Sequence, residues 1–182
     1  MKINNYPLNL ENKLILTLQK IIEEGYRQAC NYFKIIPHRK VVFKGFYSPE
    51  IYQQIFSNQE ILANLKINTP RRKDRFWQEI QTLKLTTAGI ALPSYKETWI
   101  ILNPFFWKLD LSEQTLLECV ETLAHETGHA VVANIDLWRA HENPHPEITA
   151  YLKDYLWKNY NWKKIIIEAN EQHIKSGNNK QR

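Results

Sequence analysis

Residues 110–134 read DLSEQTLLECVETLAHETGHAVVAN. Leu116, Leu117, Val120, Leu123, Ala124 and Val131 recur at helical spacing and form one apolar stripe. Asp110 followed by Glu113 makes a capping box, which opens a long helix expected to run to about Asn134. Inside that helix stands His125-Glu126-Thr127-Gly128-His129. Four residues turn a helix by about 400°, so the two imidazoles stand about 40° apart, one turn along the same face. Both can reach one tetrahedral ion, at about 2.0–2.1 Å if it is zinc. Glu126 points to the side of that pair. From there it can act on a coordinated water as a general base without becoming a ligand. The bland alternative is two ordinary helix histidines, one partly buried. The helical context, apolar before and after the motif, favours the metal.

A catalytic zinc site takes three protein ligands and keeps one position open. A second turn with Gly three and His six residues after His129 is excluded, because Val132 and Ile135 hold those places. Downstream, Arg139–Pro146 reads RAHENPHP and offers His141 and His145. His145 is the favoured third ligand, since Pro146 opens a further helix that would hold its backbone. His141 stays open, with Glu142 and Glu147 as carboxylate alternatives. Glu121, one turn before His125, could orient that ring, although a solvated helix residue is the commoner reading of such a position.

Working outward, residues 9–33 read as an amphipathic helix stopped by Pro37, and residues 39–44 (RKVVFK) as a strand. Ser48-Pro49, Ser57 with Glu60, and Thr69-Pro70 are helix starts, so 48–83 is expected to be an inserted, interrupted helical segment. Thr82–Leu92 and Glu97–Leu102 are strands joined by a turn at Pro93-Ser94-Tyr95-Lys96. Pro146 begins another helix, and Trp162–Ile174 reads as helical too. The fold class is α+β: a minimal zincin-like domain with a small antiparallel or mixed sheet of about three strands packed on helices. One domain is expected over 1–175, with 176–182 a disordered tail.

Composition sets the bounds. The chain has 182 residues, 43% hydrophobic and 24% charged, with six Trp, which suits a packed core and excludes a disordered chain. Two cysteines, Cys30 and Cys119, are too few for a disulfide scaffold or an all-cysteine zinc ribbon. No apolar run reaches the roughly 18 residues of a membrane span, and the amino terminus lacks the pattern of a signal peptide. A cytoplasmic protein with no membrane partner is expected. Net charge is +5. Arg71, Arg72, Lys73 and Arg75 stand beside Phe76 and Trp77, an interleaving that suits phosphate contacts and base stacking. The competing reading is a solvated first turn of a helix whose core face carries the aromatics.

Several of these stretches together resemble the SprT-like, Spartan-type zinc metallopeptidases. Thr87-Ala88-Gly89-Ile90-Ala91 resembles that family's Ala-Gly strand, and Ile100-Ile101-Leu102-Asn103-Pro104 its second strand. The HExxH helix and a Pro-His pair leading into a helix follow in the same order. The resemblance covers about Thr86 to Trp157. It implies Zn²⁺ held by His125, His129 and His145, with Glu126 the catalytic residue. It also implies hydrolysis of peptide bonds in a protein or peptide substrate, with DNA a candidate partner. The chain departs from the family in a longer spacing between His129 and His145, a long Gly45–Leu85 segment, and no four-cysteine ribbon after the domain. Two other functions fit the same residues: a narrow regulatory protease that cuts one partner, and a non-catalytic binding protein in which zinc is closed off by four ligands.

Overall fold

The structure is a computed structural model that describes residues 8–64, 66, 69–72, 78, 88–103, 111–137, 140 and 146–168. Its elements in chain order are α1 (Leu8–Tyr32), β1 (Lys40–Phe46), α2 (Pro49–Ser57), α3 (Gln59–Asn64), β2 (Gly89–Pro93), β3 (Glu97–Leu102), α4 (Glu113–Val132) and α5 (Pro146–Asn159). A last helix, α6, spans 162–168. The fold is α+β, with a mixed three-stranded sheet packed on helices.

The strand order is β1-β3-β2. β1 runs parallel to β3, with Val41 opposite Thr98, and β2 pairs antiparallel, with Ala91 opposite Ile100. The central position of β3 explains its sequence. TWIIL is buried at every residue, because both of its faces are covered and both of its edges are paired. One face of the sheet (Val41, Phe43, Ala91, Ile100 and Leu102) packs into a core with α1, α4 and α5. The other face (Leu92, Trp99 and Ile101) packs against Ile51, Tyr52, Ile55 and Ile61 of α2 and α3. The helices at 49–64 are therefore the second cover of the sheet and not an appendage. β1 carries an irregularity between Phe43 and Gly45. Gly45 has φ +101°, and a Cβ there would lie 2.9 Å from Ile15 Cδ1, so both backbone and space require glycine.

Local signals placed most of these elements. Ser48 caps α2, accepting from Ile51 N at 3.3 Å with Pro49 in the first turn. Thr69 Oγ1 accepts from Arg72 N at 3.4 Å, ahead of the helical residues 70–72. Three expectations shift. α4 is capped by Ser112, whose Oγ accepts from Thr115 N, and not by Asp110, which lies outside the described residues. α3 is capped by Asn58 Oδ1, which accepts from Ile61 N, while Ser57 donates backward to the Gln54 carbonyl. α1 stops at Tyr32 through Lys34 in a left-handed conformation, φ 57°, before Pro37 is reached. The predicted strand residues 82–87, the helix beyond 168 and the tail 176–182 lie outside the described residues.

Candidate metal centre

α4 is unusual in being buried nearly all round from Leu123 to Ala133. Glu126 and His129 are 5% and 7% exposed, and His125 is the half-buried exception. Such a stretch belongs to the core, so any polar side chain in it needs a partner or a task.

His129 Nδ1 lies 2.5 Å from the carbonyl oxygen of Ala140. That contact places the proton on Nδ1 and leaves Nε2 with its lone pair free to coordinate. His129 Nε2 stands 3.1 Å from His125 Nε2, with the ring centroids 4.7 Å apart and the planes at 88°. Two nitrogens on one tetrahedral zinc stand about 3.3 Å apart. The separation of the pair is close to that of two imidazole ligands on one ion, and the donor types fit a divalent metal of borderline softness. Burial lowers the pKa of His125, which favours the neutral form that ligation needs. Among the described residues, no group of three or more His, Cys, Asp or Glu side chains gathers around a metal position. The predicted third ligand, His145, and its alternatives His141 and Glu142 lie outside the described residues. Glu147 is exposed in the first turn of α5.

Glu126 sits where β2 begins. Along β2, Asn103 N donates to the Ala88 carbonyl and Ser94 N to the Glu97 carbonyl, so the even-numbered residues pair with β3. The backbone groups of Gly89, Ala91 and Pro93 then face away from β3. The Glu126 carboxylate accepts a hydrogen bond from the Ala91 backbone N–H on that outer edge. A Cβ at Gly89 would meet Glu126 Cγ at 3.0 Å and Oε1 at 3.1 Å, so glycine makes room for the carboxylate. Burial pushes the Glu126 pKa up to about 8, against the lowering effect of the Ala91 hydrogen bond. Among the described residues it has no ion-pair partner. A carboxylate whose pKa is raised by burial is a stronger base than a solvated one.

Two contributors carry no sequence signal. Ala140 acts through its backbone carbonyl, which residue type does not announce. Tyr47 follows β1 and donates its N–H to the Leu102 carbonyl at 2.9 Å. Its hydroxyl is buried and has no hydrogen-bond partner among the described residues. Burial, with the Glu126 charge adding to it, holds that phenol well above its ordinary pKa. Glu121 does not orient His125; it pairs with Lys153 of α5 at 2.9 Å. Arg71 and Arg72 are exposed, and Arg72 already donates to the Lys66 carbonyl at 2.9 Å. Lys73 and Arg75 lie outside the described residues. Among the described residues, no helix is long and apolar enough to cross a membrane. No protein-family model, curated protein or solved structure matches this chain.

Proposed function

We propose that this protein is a zinc-dependent endopeptidase of the SprT-like kind, in which His125 and His129 hold the ion together with a third ligand from the loop before α5, His145 in preference to His141. The observation that carries the reading is the approach of the two Nε2 atoms, 3.1 Å apart, with a buried carboxylate on the residue after His125 that has no ion-pair partner among the described residues. When bound, a zinc ion supplies Lewis acidity toward a water molecule and a substrate carbonyl. Glu126 takes the proton of the attacking water on its carboxylate and returns it to the leaving amine. Ala140 keeps His129 in the ligating tautomer.

The burial of Glu126 also separates this reading from a binding protein stabilised by zinc. Burying a carboxyl with a single backbone donor costs stability, and a purely structural ion gives no reason to keep it. Proteins bound to DNA remain candidate substrates through the basic run at 71–75. Cys30 and Cys119 are buried and not joined in a disulfide, which suits a cytoplasmic setting. Glu126→Gln tests the mechanism. The variant is expected to retain zinc and to lose hydrolysis of an unfolded protein such as casein by about 10³-fold or more. Unchanged hydrolysis at equal zinc content would rule the mechanism out.

A further inference from the structure

Glu126 lies where β2 begins and β3 ends. At the other end of the sheet three connections meet: 33–39 between α1 and β1, 94–96 between β2 and β3, and 133–136 after α4. Hydrogen bonds lace them together. Asn134 Oδ1 accepts from His38 N at 3.1 Å and from Arg39 N at 3.2 Å. Arg39 Nε donates to the Ser94 carbonyl at 3.1 Å, and Lys40 N to the Lys96 carbonyl at 3.0 Å. The exit from α1 is fixed by Lys34, left-handed at φ 57°, and by Ile35 N, which donates to the Cys30 carbonyl at 2.8 Å. The three connections therefore form one held surface.

That surface turns apolar side chains into water. Of the six large apolar residues exposed among the described residues, Ile36, Tyr95 and Ile135 stand on it, at 81%, 57% and 61% exposure. A grouping of this kind on a held backbone marks a contact site. The charge around it has one sign. Between Glu24 and Glu50 the sequence has no acidic residue, and Lys34, His38, Arg39 and Lys40 all fall in that stretch. Lys34, His38 and Lys40 are exposed. The carboxylates nearby are engaged: Glu60 pairs with Lys96 at 3.3 Å, and Glu97 accepts from Trp99 Nε1. Asp136, beside Ile135, is half-buried and has a partner of its own.

This chemistry selects among occupants. A second copy docked face to face would set the same cations against one another. Single-stranded nucleic acid needs ring faces to stack on, and two of the three apolar groups are aliphatic. Protein interfaces are poor in lysine and rich in aromatic residues and arginine. Isoleucines and a tyrosine bordered by lysines match an anionic bilayer, where apolar groups enter the headgroup boundary and cations meet lipid charge. We propose that this end of the protein docks on an anionic lipid surface through Ile36, Tyr95 and Ile135, with Lys34 and Lys40 against the headgroups. Such docking needs no membrane-spanning helix. It is independent of the metal site, and it leaves Glu126, at the opposite end of β2, away from the lipid.

The test is co-sedimentation of the full chain with large vesicles, made of phosphatidylcholine alone or of an equimolar mixture with phosphatidylserine. Binding is expected to the mixture and not to phosphatidylcholine alone, and it is expected to weaken at high salt. Ile36→Ser and Ile135→Ser are each expected to weaken it about tenfold. Lys34→Gln and Lys40→Gln are each expected to weaken it about fivefold. Leu16→Ser is the control. Leu16 is 62% exposed and stands about 24 Å along α1 from Tyr32, so this variant is expected to bind as wild type does. Wild type that leaves mixed vesicles unbound would overturn the proposal. So would full binding by the Ile36 and Ile135 variants, or an equal loss in Leu16→Ser. Binding to a single-stranded oligonucleotide that the same substitutions weaken, with mixed vesicles unbound, would overturn it in favour of nucleic acid.

Discussion

The two edges of the sheet are treated in opposite ways. On the β1 side, the Gln19 side chain of α1 acts as a short substitute strand. Its Nε2 donates to the Val41 carbonyl at 3.1 Å, and its Oε1 accepts from Phe43 N at 2.5 Å. One side-chain amide thereby takes the Val41 carbonyl and the Phe43 N–H, two of the backbone groups on that outer edge. On the β2 side, the outward groups at Gly89 and Ala91 adjoin a buried carboxylate and a pair of converging imidazoles. Pro93, farther along, has its carbonyl taken by Asn64 Nδ2 at 2.7 Å, so this edge too is closed at its far end. The contrast teaches that the two edges are covered by different means: a side-chain amide on β1, and on β2 the Glu126 carboxylate beside Gly89 and Ala91 with Asn64 at Pro93.

The contrast can be broken from either side. The largest effect is expected at the β2 edge. Gly89→Ala would set a Cβ 3.0–3.1 Å from Glu126 Cγ and Oε1 and from Leu102 Cδ2, forcing the carboxylate to shift by a few tenths of an ångström. Hydrolysis is expected to fall roughly 10- to 100-fold while zinc content stays at the wild-type level. Full activity in that variant would show that the place of Glu126 beside β2 is immaterial. At the closed edge, Gln19→Met keeps the length and removes both hydrogen bonds. Urea unfolding is expected to report a loss of about 1–3 kcal/mol, with self-association rising at high protein concentration and hydrolysis per zinc unchanged. A drop in hydrolysis per zinc would mean that the two edges are coupled.

The smallest effect concerns the entry to β1. Tyr26 donates its hydroxyl to the Arg39 carbonyl at 2.8 Å and accepts from Asn134 Nδ2 at 2.8 Å. Burial pushes its pKa up to about 12. A folded-state value above the unfolded one near 10 means that the contribution of Tyr26 to stability is intact below pH 10. It is lost as pH rises through about 12. Tyr26→Phe is therefore expected to cost about 1 kcal/mol at neutral pH and to flatten the decline of stability above pH 10. An equally steep alkaline decline in the Phe variant would assign that slope to another group.

Much of this was legible in the residues themselves. The Pro93–Lys96 turn, the Ser48-Pro49 cap, the stripe of α4 and the HExxH spacing are local patterns, and local geometry decides them. Two caps shifted by one or two residues because Asp110 and Ser112, or Ser57 and Asn58, compete on nearly equal terms, and packing settles which side chain wins. The parallel pairing of β1 with β3 joins segments more than fifty residues apart, and no local pattern encodes it. Gln19 reads in sequence as a solvated helix residue; only the position of β1 against α1 turns it into an edge clamp. The His129 acceptor is a backbone carbonyl, which residue type does not announce.

Zinc stoichiometry decides the matter most directly: elemental analysis of the purified chain after dialysis, for wild type and for His129→Ala, His145→Ala and His141→Ala. One zinc per wild-type chain is expected, with loss in His129→Ala and in His145→Ala and retention in His141→Ala. A wild-type chain that takes up no zinc, or a His129→Ala chain that holds as much as wild type, would contradict the account.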